Sequence, residues 1–259
     1  MTAARFNVIG VGVSLTNLSE AVATILTWRV EGARESISTC TAYTLVECRR
    51  NPALRSRINS AGLATPDGMP LVWLGRQQGH HKVSRVYGPD LMLAVCKAGL
   101  SVGLRHFFYG GAPGVPERLA ARLQTRFPTL QIAGTLSPLF HALSNAEDAA
   151  MVERINATQP DVVWVGLGTP KQDFWVADHR GRVHATALIA VGAAFDFLSG
   201  RVQQAPPWIQ RCGFEWLFRL VQEPRRLWRR YLVDNAIFLF HVGLQRAGIR
   251  EYPIETEAY

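Results

Sequence analysis

The chain has 259 residues, enough for one α/β domain with an addition or for two small domains. Its composition, 48% hydrophobic and 19% charged, is that of a globular protein and excludes a chain disordered throughout. A formal charge of +8 asks for an anionic partner, which phosphate-bearing substrates, nucleic acid or an anionic membrane would each satisfy.

Short apolar runs alternate with amphipathic stretches, the pattern of βαβ units around a mostly parallel sheet. Phe6 to Ile9 reads as a first strand, and the stretch after Thr16 as a helix carrying Ala21, Ile25 and Trp28. Ser36 to Thr41 reads as a second strand, followed by helical patterns over 45–50 and 53–60, and then a Pro66-Asp67-Gly68 loop. His106 to Tyr109 is a strand ending in Gly110-Gly111-Ala112-Pro113-Gly114, with a helix over 116–127 behind it. Gln131 to Gly134 is a strand, and 147–158 a helix with Ser144 or Asn145 as its cap. Asp161 to Gly166 and Ala187 to Val191 are strands that enter the turns at 166–170 and 192–196. From about Arg201 the character changes, so the expected organisation is an α/β core over 1–204 and a helical, arginine- and tryptophan-rich appendage over 205–259. Disorder is expected only from about Tyr252 onward.

Three strand ends that run into glycine- or proline-containing turns suit a nucleotide, because ligands of open α/β sheets bind outside the carboxyl ends of strands. Tyr109, Gly110 and Gly111 stand at one such end, and Lys171 and Gln172 at another, where a cation and an amide could meet phosphate and sugar. The plainer reading is tight turns. Gly10-Val11-Gly12 lacks a third glycine, and no Walker lysine is present, so dinucleotide and P-loop sites are not indicated. Asp67 could cap the following helix or act as a general base toward an acceptor hydroxyl, and local sequence alone favours the cap.

The block 211–230 holds six arginines (211, 219, 225, 226, 229, 230) against Glu215 and Glu223. On a helical wheel Arg219, Arg226 and Arg230 share an arc with Arg229 beside it, opposite Leu217, Leu220, Val221 and Leu227; Pro224 divides the segment into two helices. A basic amphipathic surface with tryptophans suits anionic lipid or pyrophosphate, and arginine suits bidentate phosphate contacts. The four cysteines show no metal-ligand spacing, and His80-His81 has no third ligand. No Asp-x-Asp occurs, so a metal-diphosphate clamp is not visible, and neither a metal nor a cofactor is expected. No signal core opens the chain and no apolar stretch is long enough to span a bilayer, so the expected location is cytoplasmic.

Taken together, the motifs resemble the WecG/TagA/CpsF family of bacterial glycosyltransferases, glycosyltransferase family 26. The resemblance runs from about residue 6 to 235. It rests on Thr39-Cys40-Thr41, Asp67 to Trp73, Arg85-Val86-Tyr87-Gly88-Pro89-Asp90, Phe108 to Gly111, Gly168 to Asp173, Gly192 to Gly200, and Gly213 to Leu220 followed by Glu223-Pro224-Arg225-Arg226. It implies a Rossmann-like, metal-independent enzyme that moves a sugar, often N-acetylmannosamine, from UDP to an undecaprenyl-pyrophosphate-linked sugar with inversion. By the same resemblance Asp67 is the expected base, and Thr39, Arg85 and Gln172, with Thr41 beside them, line the site. Arg219, Arg226 and Arg229, with Arg230, are expected to meet the acceptor pyrophosphate at the inner face of the cytoplasmic membrane. Two departures, Gln204 for an arginine and Thr41 for an asparagine, leave glucose or another hexose open as the donor sugar. Two other readings differ in class: a nucleotide-sugar-binding module without catalysis, and a nucleic-acid binder, for which no reading motif is present. Oligomeric state is left open.

Overall fold

A computed structural model describes residues 3–138 and 143–255. In chain order, β1 (Arg5–Val8) and β2 (Val11–Ser14) are followed by α1 (Leu18–Glu31), β3 (Glu35–Cys40), α2 (Ala42–Arg50), α3 (Pro52–Asn59), β4 (Leu63–Pro66), α4 (Met69–Gln77) and α5 (Gly88–Gly99). Then come β5 (Arg105–Gly110), α6 (Val115–Arg126), β6 (Gln131–Leu136), α7 (Asn145–Ala157), β7 (Val162–Gly166), α8 (Lys171–His179), β8 (Ala187–Ala190) and α9 (Ala194–Leu198). The rest is helical: α10 (Pro207–Arg211), α11 (Glu215–Gln222), α12 (Pro224–Trp228), a π turn at Arg229–Val233 and α13 (Asp234–Arg246).

The main sheet has six strands in the order β4-β3-β8-β7-β5-β6, and the pairs β3–β8, β8–β7, β7–β5 and β5–β6 run parallel. This is the mostly parallel α/β sheet that the alternating pattern predicts, and the Rossmann-like class that the resemblance implies. Its central strands are legible because parallel strands covered on both faces become continuous apolar runs, as in Val162-Val163-Trp164-Val165 and Ala187-Leu188-Ile189-Ala190, all buried.

By contact the chain divides into two compact units. One comprises 18–38 and 88–203, where α1 packs on α5, α6 on α9, and α8 on β7 and β8. Its core gathers Phe107, Val163, Val165, Leu188 and Trp175. Within it α7 starts with a capping box, Ser144 accepting from the Glu147 amide while Glu147 accepts from the Ser144 amide, so that Ser144 is the cap of the two candidates. The other unit comprises 1–17, 39–87 and 204–259, so the C-terminal helices belong with α2, α3, β4 and α4; α13 lies on α2 and Arg50 pairs with Asp234.

Two expectations are corrected within this unit. The segment around Phe6 to Ile9 does not join the parallel sheet: β1 and β2 form a separate antiparallel hairpin. Ile9 and Gly10 make its two-residue turn with φ of 45° and 88°, the double positive φ of a type I′ turn. Gly10-Val11-Gly12 is therefore hairpin, which removes the last trace of a dinucleotide fingerprint. A β-branched residue is rarely found at positive φ; here the Ile9 side chain is fully buried and its amide donates to Gln245 Oε1 at 2.8 Å. The tail from Tyr252 is also not loose. Tyr252 is buried, its hydroxyl is bonded to His241 Nδ1, and its carbonyl accepts from Asn7 Nδ2 at 2.6 Å. Asn59 Nδ2 donates to the Glu255 carbonyl at 2.9 Å; residues 256–259 of the stretch expected to be disordered lie outside the described residues.

Candidate active site

Asp67 follows β4 directly, and its amide donates to the Cys40 carbonyl at 2.9 Å, which fixes the turn against the end of β3. The cap position of α4 is taken by Gly68, with no side-chain cap bond. The cap role that local sequence favours for Asp67 is therefore not the one it has. Its carboxylate instead faces Arg85, whose Nη2 lies 3.6 Å from Asp67 Oδ1.

Arg85 is held from every side. Its Nε donates to the Asp67 main-chain carbonyl at 2.5 Å, Nη1 to Gln210 Oε1 at 3.2 Å, and Nη2 to Glu215 Oε2 at 2.6 Å. The guanidinium also lies 3.9 Å from the centroid of the Tyr87 ring, a cation–π contact. The Tyr87 hydroxyl donates to Glu215 Oε1 at 2.9 Å, and the Val86 amide donates to the Pro66 carbonyl at 2.9 Å. Residues 85–87 thus clamp the turn that carries Asp67.

The two carboxylates of the cluster differ. Both oxygens of Glu215 accept strong hydrogen bonds, from Arg85 and Tyr87. No hydrogen bond from the described residues ends on the Asp67 carboxylate, whose nearest described cation is the 3.6 Å Arg85. Burial pushes the Asp67 carboxyl up to about 6; Arg85 pulls it down, Glu215 pushes it further up, and Arg230 and Arg219 pull it down. A carboxyl near 6, with lone pairs free, can hold or release a proton close to neutral pH, as a general base must.

Arg219 comes from α11 and Arg230 from the π turn, and the charge of each acts on Asp67. Arg230 sits 4.3 Å from the Tyr43 ring centroid; burial lowers its pKa and Arg219 lowers it further. Two arginines that repel one another and both act on the Asp67 carboxylate make this part of the unit attractive to an anion. The arc of Arg219, Arg226 and Arg230 drawn on one wheel is split. Arg226 pairs with Glu223 on an exposed face, and Arg229 lies 5.5 Å from its neighbour Trp228. The cause is local: Pro224 starts a new helix and the π turn re-phases the chain after Trp228.

Of the remaining candidates in this unit, Thr39 is buried near the end of β3, next to the Cys40 that anchors Asp67. Thr41 caps α2, its hydroxyl accepting the Thr44 amide and Thr44 returning the bond. Threonine and asparagine are both good caps, so the departure at Thr41 fits this position physically.

In the other unit the strand-end glycines have an internal explanation. A Cβ on Gly110, at φ 137°, would sit 2.6 Å from the Gly166 backbone, and one on Gly111 would meet Val115 at 2.9 Å. Tyr109 is a core residue whose ring packs 4.8 Å from Trp175, and burial raises its hydroxyl to about 12, with Asp148 adding to the rise. Gln172 is buried and its Oε1 accepts the Gly168 amide at 3.1 Å, bracing the turn after β7. Lys171, the first residue of α8, is exposed.

Glu215, Tyr87, Gln210 and Tyr43 carry no role that the sequence alone suggests. One signal for Glu215 was available: an acid inside an arginine-rich block is a candidate for a buried ion pair.

A model of the Glycosyl transferase WecG/TagA/CpsF family matches residues 6–252. The chain belongs to this family. Among curated relatives, the WecG/TagA/CpsF chain is 32% identical over 186 residues to the N-acetylglucosaminyldiphosphoundecaprenol N-acetyl-beta-D-mannosaminyltransferase of Bacillus spizizenii strain W23, covering 72% of this chain and 70% of that one. It is 29% identical over 176 residues to the protein of the same name from Bacillus subtilis strain 168, covering 68% of this chain and 66% of that one. As a member of the WecG/TagA/CpsF family it is a glycosyltransferase.

Proposed function

We propose that this glycosyltransferase moves a hexose or N-acetylhexosamine, with N-acetylmannosamine or glucose the first candidates, from a UDP-sugar to an undecaprenyl-pyrophosphate-linked sugar in cell-surface polysaccharide synthesis. The observation that carries the reading is the Asp67 carboxylate, 13% exposed, with no described hydrogen bond to it and a pKa raised to about 6. In the reaction it takes the proton of the acceptor hydroxyl as that oxygen attacks the anomeric carbon opposite the departing UDP, which inverts the centre. Arg219 and Arg230 take up the acceptor pyrophosphate and stabilise developing negative charge. The names of the Bacillus relatives, which specify transfer of N-acetylmannosamine to a lipid-diphosphate sugar, support the substrate class.

The membrane is the second partner of this reading. No helix of the described residues is long and apolar enough to cross a bilayer. Trp208, Phe214, Leu217, Val221, Trp228 and Phe240 are exposed, at 44–75%. Interleaved with Arg225, Arg226 and Arg229, they suit the interface of an anionic bilayer, where the lipid-linked acceptor resides. The test is a transfer assay in vesicles of anionic lipid, supplying UDP-sugars one at a time with an undecaprenyl-pyrophosphate-linked N-acetylglucosamine acceptor. Sugar appears on the lipid with UDP released in equal amount; no transfer from any UDP-sugar, alongside tight UDP binding, would favour a non-catalytic binding module.

A further inference from the structure

Resting on the assignment of Asp67 as base, we propose that Glu215 is a positioning residue that holds the Arg85 guanidinium away from the Asp67 carboxylate. The geometry is a contest between two carboxylates for one cation. Arg85 Nη2 lies 2.6 Å from Glu215 Oε2 and 3.6 Å from Asp67 Oδ1, so Glu215 takes the hydrogen bond and Asp67 keeps only the longer ion pair. A planar guanidinium aligned with one carboxylate cannot align equally with a second at a different angle. Arg85 is also tethered through Nε to the main chain of Asp67, not its side chain, and through Nη1 to Gln210.

Glu215 itself is in no position to act as the base. Its second oxygen accepts from Tyr87, so taking a substrate proton would break a charge-assisted bond. It stands at the first residue of α11, the helix that also carries Arg219. One helix therefore brings both an acceptor-binding arginine and the group that keeps the base uncommitted.

Without the Glu215 charge, Arg85 is free to close on Asp67 and commit its lone pairs to an ion pair. Among the described residues, the titratable and charged groups acting on Asp67 are Arg85 and Tyr87 beside the turn, Glu215 and Arg219 on α11, and Arg230 on the π turn. Of these, Glu215 acts on Asp67 in the opposite sense to all three arginines.

The test is Glu215→Gln in the full chain, assayed with UDP-sugar and lipid-pyrophosphate acceptor across pH, beside Asp67→Asn. The expected result is a kcat about tenfold lower, of the size of a weakened proton transfer. The donor KM is near its wild-type value, and the acid limb of kcat/KM falls to lower pH by about half a unit or more. An acid limb that stays where the wild type has it overturns the proposal, as does a wild-type kcat. Should Glu215→Gln fail to fold, Tyr87→Phe keeps the ring under Arg85 and removes the proton given to Glu215. It shifts the limb in the same direction by less, with a severalfold loss in kcat; an unchanged limb again overturns the proposal. Asp67→Asn separates the two levels. Wild-type turnover in Asp67→Asn defeats the base assignment itself, whereas an inactive Asp67→Asn with an unmoved limb in Glu215→Gln defeats only the role of Glu215.

Discussion

The strand-end turns at Gly110 and Gly166 and the cluster around Asp67 both invite a functional reading, yet they rest on different physics. At the turns, the glycines meet the requirements of the fold. Gly110 has φ 137° and no room for a Cβ against Gly166, so its identity follows from packing whether or not a phosphate binds there. Around Asp67 the fold leaves chemistry unsatisfied. A mostly buried carboxylate accepts no hydrogen bond from the described residues, and the charges of two mutually repelling arginines act on it. A residue kept where it costs stability points more directly to function than one kept because nothing else fits.

The contrast can be broken at either end. Asp67→Asn is expected to lower turnover by about 10²–10⁴-fold, the range for losing a general base, with the circular dichroism of the folded chain retained. The same variant should be the more stable protein at pH 8. A carboxyl whose folded pKa of about 6 lies above its ordinary value binds protons more tightly in the folded state. Its contribution to stability is thus fully present below about pH 4 and lost as pH rises through 6, whereas asparagine titrates nowhere. The gain at pH 8 is on the order of 1–3 kcal/mol and disappears below pH 4, as denaturant titrations at the two pH values would show.

Gly110→Ala should do the opposite, lowering stability by about 3 kcal/mol through positive φ and backbone overlap, before any effect on substrate. Denaturant unfolding measures this; a stable variant with a raised donor KM would move Gly110 into the binding group. Arg230→Ala is expected to have the smallest effect, about a tenfold rise in KM for the lipid acceptor with kcat less affected. Steady-state kinetics with the acceptor varied in vesicles checks this.

What sequence made visible follows the range of the interactions. The strands of the sheet interior show as continuous apolar runs, and α7 announces itself by its amphipathic pattern behind the cap candidates Ser144 and Asn145, of which Ser144 is the cap. The hairpin at Ile9-Gly10 escapes because isoleucine at positive φ is foreign to turn statistics, and it is secured by Gln245 from the far end of the chain. Helix α5 is likewise not read, since it starts at Gly88-Pro89 where glycine and proline suggest a loop. At the site, Asp67 and Arg85 come through the family resemblance, but Glu215 does not, because its partners Arg85 and Tyr87 are 130 and 128 residues away. The arginines are visible as a block. Their sorting into the inward pair, Arg219 and Arg230, and the outward Arg226 depends on the break at Pro224 and the π turn, which a single wheel cannot represent.

The most direct measurement of the central claim is the pH dependence of kcat/KM for the wild-type chain with saturating UDP-sugar and limiting lipid acceptor. An acid limb of unit slope is expected, with its midpoint at about pH 6, where Asp67 loses its proton. A rate that stays level from pH 5 to 8 would contradict it.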